Sequence, residues 1–348
     1  MKAAVVILNY NGADHLATFL PSVVEHTPDW ARVVVADNGS TDNSIEFLKT
    51  NFPAVQIIAL EKNHGFAGGY NRALNQIDAE YYVILNSDCE VSAGYLEPII
   101  EKLDKDLQIA AAQPKILNYR KKDHFEYAGA AGGFIDKYGY PFCRGRLFDN
   151  CERDIGQHDD DREIFWATGA CLVARSTVFK EVEGFDEDLF AHMEEIDLCW
   201  RLKNEGYRIY CYPQSTVYHM GGGTLSAQNS FKTYLNFRNN LAIIVKNDYG
   251  KNYRKRLFKR MIMDGMAAGH FLLNRGFSHF LAILRAHFHF YGHLPKILEK
   301  RKHWKEKAIS PNKSGMYKNS IAKDYFRFKR KVFSALPGRG FIRQDRKS

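Results

Sequence analysis

The chain opens with short apolar, β-branched runs separated by stretches of helical spacing. Residues 3–8, 32–36, 55–59, 81–85 and 109–112 read as strands, with helices near 15–25, 44–51, 67–77 and 94–103 between them. This alternation predicts an α/β fold, a mostly parallel twisted sheet with helices on both faces. Residues 115–160 lose the pattern, carry Gly129, Gly132, Gly133, Gly139 and Asp159-Asp160-Asp161, and are expected to form a loop or hairpin insert. A strand-like stretch over 164–174 restores it. Helices at 176–181 and 194–205, the second stopped by Gly206, and strands at 208–212 and 216–219 follow. From Tyr234 onward the pattern turns helical, basic and aromatic.

A chain of 348 residues exceeds what one core commonly fills, so one large domain with an appendage is expected. Charge marks the division. Residues 251–348 hold 25 Lys and Arg against 5 Asp and Glu, whereas residues 1–250 hold 24 against 35, so the net +9 splits into about +20 and −11. The six cysteines form no CxxC pair and several lie in apolar runs, which fits reduced, packed thiols and a cytoplasmic home. No run of about 18 uncharged apolar residues occurs, and the apolar stretch after Met1-Lys2 is too short for a signal-peptide core.

Each early strand ends in polar residues: Asn9-Tyr10-Asn11-Gly12, Asp37-Asn38-Gly39-Ser40, Asn63-His64-Gly65 and Asn86-Ser87-Asp88. Four polar turns on one sheet edge make a site, because open α/β sheets bind ligands beyond their strand ends. Asp88 can hold a hard divalent cation against a diphosphate, although Asn, Ser and Asp also cap helices and shape turns. Asp37 can accept from a base or ribose, or shape its own turn. Gly65-Phe66-Ala67-Gly68-Gly69 lacks dinucleotide-fingerprint spacing, but its small residues let backbone approach a ligand, with Asn63 and Asn71 alongside. Glu194, Glu195 and Asp197 project from the first turn of a helix, where the dipole favours an ionised carboxylate, as a general base requires and as capping also uses. His219 ends a strand before the hinge-like Gly221-Gly222-Gly223, and its imidazole can complete a metal's coordination sphere.

The order of these pieces is specific. Val5-Val6-Ile7-Leu8-Asn9-Tyr10-Asn11-Gly12, Val35-Ala36-Asp37-Asn38-Gly39-Ser40-Thr41-Asp42, Asn63 through Asn71, Leu85-Asn86-Ser87-Asp88, Thr168-Gly169-Ala170, Gly184-Phe185-Asp186-Glu187 and Glu194-Glu195-Ile196-Asp197-Leu198 together resemble a family 2 glycosyltransferase of GT-A fold, in its rhamnosyltransferase-like branch. The resemblance covers residues 1–245, ending near Asn236-Phe237-Arg238-Asn239-Asn240. It implies a metal-dependent, inverting transferase that takes a nucleotide-diphosphate sugar, with dTDP-rhamnose as the guess and UDP- and GDP-sugars open. The acceptor would be a glycan or polyprenyl-diphosphate-linked saccharide in cell-surface polysaccharide synthesis.

By that resemblance Asn9, Asn11 and Asp37 hold the nucleoside, Asp88 and His219 bind Mg²⁺ or Mn²⁺, and the second acid of Glu194-Glu195 is the base. Asn63, Gly65, Asn71, Asn86, Gly169 and Asp197 are expected to complete the substrate sites. Two departures stand out: many relatives carry Glu-Asp where this chain has Glu194-Glu195, and Asn86-Ser87-Asp88 has one acid where many transferases have two. The expected organisation is a catalytic domain over 1–245, its nucleotide-sugar half near 1–114 and acceptor half near 115–245, then a basic amphipathic helical region over 246–310 and a flexible basic tail over 311–348.

Within the basic region, residues 277–291 mix Phe, Leu and Ile with His and Arg. Such a helix lies on an anionic bilayer, here the inner face of the plasma membrane, or packs on the catalytic domain. Nucleic-acid binding has only charge in its favour and no recognisable motif, so no nucleic-acid partner is expected. The runner-up enzyme, a nucleotide-sugar-forming nucleotidyltransferase, would need a glycine-rich basic loop after the first strand, where Asn9-Tyr10-Asn11-Gly12 stands.

Overall fold

The computed structural model describes residues 1–221 and 229–343. Gly222 and Gly223 of the expected hinge lie outside the described residues. The N-terminal half runs β1 (Ala3–Asn9), α1 (Ala13–His26), β2 (Ala31–Asp37), α2 (Ser44–Asn51), β3 (Gln56–Ala59), α3 (Gly65–Leu74), β4 (Tyr81–Asn86), β5 (Cys89–Val91), α4 (Glu97–Lys105) and β6 (Ile109–Asn118). β1, β2 and β4 are buried on both faces, which is why they read as continuous apolar runs.

The insert supplies β7 (Gly133–Asp136), β8 (Pro141–Cys143), β9 (Arg146–Leu147), β10 (Asn150–Cys151) and β11 (Arg162–Glu163). After it come β12 (Cys171–Arg175), α5 (Ser176–Glu181), α6 (Glu194–Asn204) and β13 (Arg208–His219). The strand expected over 164–174 is therefore mostly irregular, its buried residues before Cys171 being spent on packing and loop hydrogen bonds. The two expected strands at 208–212 and 216–219 are one, interrupted by a bulge between Tyr212 and Thr216.

The main sheet has the order β11-β13-β6-β12-β4-β1-β2-β3. β3, β2, β1 and β4 are mutually parallel, while β12 runs antiparallel to both β4 and β6. This reversal puts the start of β12 beside the carboxyl end of β4, where Asn86 N donates to Ala170 O at 3.0 Å. β5 pairs with the end of β13, which brings His219 opposite Cys89 and next to Asp88.

Four helices complete the chain: α7 (Ser230–Asn247), α8 (Tyr253–Asn274), α9 (Phe277–Gly292) and α10 (Leu294–Lys307). α8, α9 and α10 all pack on α7. Among the described residues no helix is long and apolar enough to cross a membrane.

The expectation of a flexible tail over 311–348 is corrected as far as residue 343. β14 (Met316–Tyr317) joins β7 as the edge of a second sheet of order β10-β9-β8-β7-β14, so the insert is a sheet closed by the tail rather than a loop or hairpin alone. Tyr317, Phe333 and Phe341 are buried against Phe134 and Phe142, with ring centroids 5.1 Å apart for Phe134–Phe333 and 4.8 Å for Tyr317–Phe341. Burial of those aromatic rings outweighs the repulsion of the surrounding cations. Phe341→Ala should cost about 3 kcal/mol in urea unfolding and expose the Lys- and Arg-rich tail to trypsin, whereas a loose tail would be cut equally fast in both proteins.

Candidate active site

The residues expected to hold a nucleoside sit at the ends of β1 and β2 and the start of α3. Asn9 is fully buried; its Nδ2 donates to Asp37 Oδ1 at 3.0 Å and to Ser40 Oγ at 3.2 Å. Its Oδ1 finds no hydrogen-bond partner among the described residues, and a Cβ at Gly12 would come within 2.6 Å of it, so glycine keeps this acceptor open. Asp37 Oδ2 also accepts from Ser40 N at 2.9 Å. Asn11 Oδ1 accepts from Thr41 N at 2.7 Å and fastens the two loops together. Asn63 Oδ1 takes the N–H of Gly65 at 2.8 Å and Asn38 Nδ2 at 3.1 Å. Gly65 has φ +73° and a Cβ there would strike the Phe190 ring at 2.6 Å, so this position needs glycine and brings α3 against the loop before α6.

At the end of β4, His219 Nε2 lies 3.1 Å from Asp88 Oδ1 and 3.3 Å from Asn86 Nδ2, and its Nδ1 lies 3.2 Å from Glu126 Oε2. Burial disfavours an imidazolium at His219, but the flanking carboxylates of Asp88 and Glu126 win and lift its pKa to about 10. Burial likewise opposes ionisation of Asp88, and His219 more than offsets it, lowering the carboxyl below its ordinary value. Cys89 lies close enough to join an ion-binding set, but burial pushes its thiol far up and its Sγ donates to Ala170 O at 3.3 Å, so it stays a thiol. The carboxylate that remains, and the imidazole once it gives up its proton, are the oxygen and nitrogen donors a divalent cation such as Mg²⁺ or Mn²⁺ accepts. Glu126 lies in the irregular insert, where no sequence pattern singles it out.

The third group stands at the start of α6. Phe190, His192 and Met193 have φ of 64°, 66° and 74°, a run that non-glycine residues adopt only under constraint. The constraint is Asn239 of α7, fully buried, whose Nδ2 donates to the carbonyls of Leu189, Ala191 and His192 at 3.0, 2.9 and 2.7 Å. Met193 caps α6 without a side-chain hydrogen bond, leaving first-turn N–H groups to the glutamates. Burial nevertheless raises Glu195 to about 7, against the pull of the Met193, Glu195 and Ile196 amides. Burial and the neighbouring Glu195 raise Glu194 well above the ordinary carboxylate range. The expectation that the dipole keeps these acids ionised at neutral pH is therefore corrected: desolvation outweighs it.

Two expected substrate residues have other duties. Asp197 is fully buried, 2.9 Å from Arg201 Nε, 2.7 Å from Lys246 Nζ and 2.7 Å from Asn247 Nδ2, and it faces α7. Asn71 spends its amide on the backbone of Phe185, donating to its O at 2.8 Å and accepting from its N at 2.9 Å. Gly169 faces Phe66, where a Cβ would come within 3.2 Å of the ring. Trp166 is a core residue, donating from Nε1 to Phe134 O at 2.9 Å. Lys232, in the first turn of α7, lies near enough to Glu126 to be favoured as a cation by it, and near enough to His192 to disfavour an imidazolium there.

Comparison with known proteins agrees with this architecture. The N-acetylglucosaminyl-diphospho-decaprenol L-rhamnosyltransferase of Mycobacterium tuberculosis is 28% identical over 233 residues, covering 62% of this chain and 75% of that protein. GalNAc-T7, solved with UDP, GalNAc and Mn²⁺, superposes with a TM-score of 0.59 at 17% identity, covering 89% of this chain, which spans only 56% of GalNAc-T7. The mannosyltransferase PcManGT from Pyrobaculum calidifontis, solved with GDP-Man and Mn²⁺, gives 0.53 at 13% identity over 88% of this chain and 84% of that one. These likenesses identify the GT-A fold. The family model for glycosyl transferase family 2 matches residues 4–182, more than half the chain, and the chain therefore belongs to that family, as a glycosyltransferase with a rhamnosyltransferase-like relative.

Proposed function

We propose that this enzyme is an inverting transferase that moves a sugar from a nucleotide diphosphate, with dTDP-rhamnose as the candidate donor, to a polyprenyl-diphosphate-linked saccharide at the membrane surface carrying it. The observation that carries the reading is the meeting of Asp88 and His219, 131 residues apart in sequence and 3.1 Å apart at the end of β4. The M. tuberculosis relative, by its name, uses such an acceptor.

In this reading Asn9 and Asp37 grip the nucleoside, and Asp88 with His219 would hold Mg²⁺ or Mn²⁺. When bound, that ion neutralises the charge developing on the departing diphosphate. Glu126 orients the His219 ring from its other nitrogen, as carboxylates behind ligating histidines do. Glu195 takes the proton of an acceptor hydroxyl; the oxygen attacks the anomeric carbon opposite the diphosphate, and one C–O bond forms as the other breaks, with inversion. Burial gives Glu195 a proton affinity matched to neutral pH, whereas burial and the neighbouring Glu195 raise Glu194 well above the ordinary carboxylate range.

Glu195→Gln should slow transfer about 10²–10⁴-fold while thermal shifts with donor persist; near wild-type turnover would move the base to Glu194. The acid limb of kcat should fall near pH 7, and a limb near the ordinary 4.5 would exclude Glu195. Because burial raises this pKa, the stability linked to its proton is complete below about 4.5 and lost as pH rises through about 7. Glu195→Gln should accordingly raise Tm more at alkaline than at acidic pH. In the unaltered enzyme, nucleotide sugar with Mn²⁺ at a hundred times its Kd should stabilise by about 2.7 kcal/mol, and Asp88→Asn should abolish the Mn²⁺-dependent part.

A further inference from the structure

The helices α8 and α9 form a hairpin whose inner faces pack on α7 and whose outer faces, among the described residues, stay exposed. The inner contacts are polar as well as apolar: Arg260 Nη1 of α8 donates to Asn240 Oδ1 of α7, and His279 Nδ1 lies 2.9 Å from Thr233 Oγ1. Outward, α8 carries Phe258, Ile262, Met266 and Leu273, a single stripe at helical spacing in which Leu273 is 85% exposed. On α9 the outward stripe is Phe277, Leu281, Leu284 and Phe288, with Phe288 76% exposed. Side chains of this size are rarely left in water in two adjacent rows, and such a patch marks a surface that something covers.

Charge identifies the cover. Residues 251–293 hold eight Lys and Arg against the single acid Asp264, which is itself buried and paired with Arg260. Arg254, Lys255 and Lys259 are exposed beside the α8 stripe, Arg275 at the hairpin bend and Arg285 beside the α9 stripe. A second copy would bring two such cationic faces together, which repulsion opposes. An apolar stripe rimmed by exposed cations is instead complementary to a bilayer whose headgroups are anionic and whose interior is hydrocarbon.

We infer that the α8–α9 hairpin is a membrane-docking surface that lies flat on an anionic bilayer and presents the catalytic cleft to it. The hairpin bend supplies the orientation. Phe271 stacks edge-on with Phe237 of α7 at 6.2 Å, and Arg285 sits 5.0 Å over the Tyr234 ring, so the bend rests on the first two turns of α7. Those same turns run on to Asn239, which clamps the loop before Glu194. Docking would hold the cleft beside lipid-borne acceptor, and it rests on the proposed membrane-linked acceptor only for its purpose, not for its geometry.

The test is flotation of the full chain with phosphatidylcholine vesicles, with and without roughly one third phosphatidylglycerol, alongside donor binding by thermal shift. The protein should float with anionic vesicles and remain at the bottom with neutral ones. Lys255→Glu with Lys259→Glu, and separately Phe258→Ser with Phe288→Ser, should each lower partitioning at least about tenfold while leaving donor-induced thermal shifts unchanged. Wild-type protein that sediments with both vesicle types overturns the inference, as does a concentration-dependent dimer that Phe258→Ser with Phe288→Ser dissolves without vesicles present. Loss of donor binding in the wild type would instead strike at the transferase reading and leave the docking result standing.

Discussion

The arrangement of this active site depends on one buried ionic knot. Asp197 is sealed from water and compensated by Arg201 on its own helix and by Lys246 on α7. Lys246 also reaches Asp186 at 2.5 Å, and Arg201 donates to the carbonyls of Val182 and Gly184. Removing one member would strand a charge in the interior, typically a loss of 3–5 kcal/mol, so α6, α7 and the turn before them move as one body. Once α7 is fixed this way, Asn239 falls on the carbonyls of residues 189–192 and imposes the left-handed backbone that delivers the two glutamates. A carboxylate that resembles a ligand-binding group is in fact the anchor of the loop that presents Glu194 and Glu195.

The acidic helix also shows two forces in competition. Free amides at the start of α6 favour ionised glutamates, and exclusion of water opposes them; exclusion wins at both positions. At His219 the balance goes the other way, because Asp88 and Glu126 close in on both ring nitrogens. Burial thus leaves reluctant acids at the start of α6, while at His219 two carboxylates overcome the same burial and leave a strongly basic imidazole.

The parallel core was legible because strands buried on both faces are continuous apolar runs, and the polar residues at their ends had to share one edge. The positions of Asn9, Asp37 and Asp88 followed from that topology, whereas His219 was singled out beside Asp88 only by the family resemblance. Glu126 was not legible, since the insert holding it has no periodicity and its position depends on a bridge back to β6, Phe125 opposite Leu117. Asn71 and Asp197 misled for a related reason: an amide or carboxylate looks the same in sequence whether it faces ligand, backbone or a buried lysine. The pair Asp197 and Arg201, four apart on one helix, was the available hint for the second. The tail was misjudged on charge, although Tyr317, Phe333 and Phe341 recur among its cations at intervals that allow packing.

The pairing of β14 with β7 has a kinetic consequence. Ile135 and Met316 are partners in register although 181 residues separate them, so closing the small sheet requires an entropically costly loop to form. Until that late segment arrives, Phe134 and Phe142 lack the rings that cover them. The small sheet should thus consolidate after the main sheet, whose neighbours β1 and β2 lie close in the chain, and newly made protein would complete its two sheets in that order.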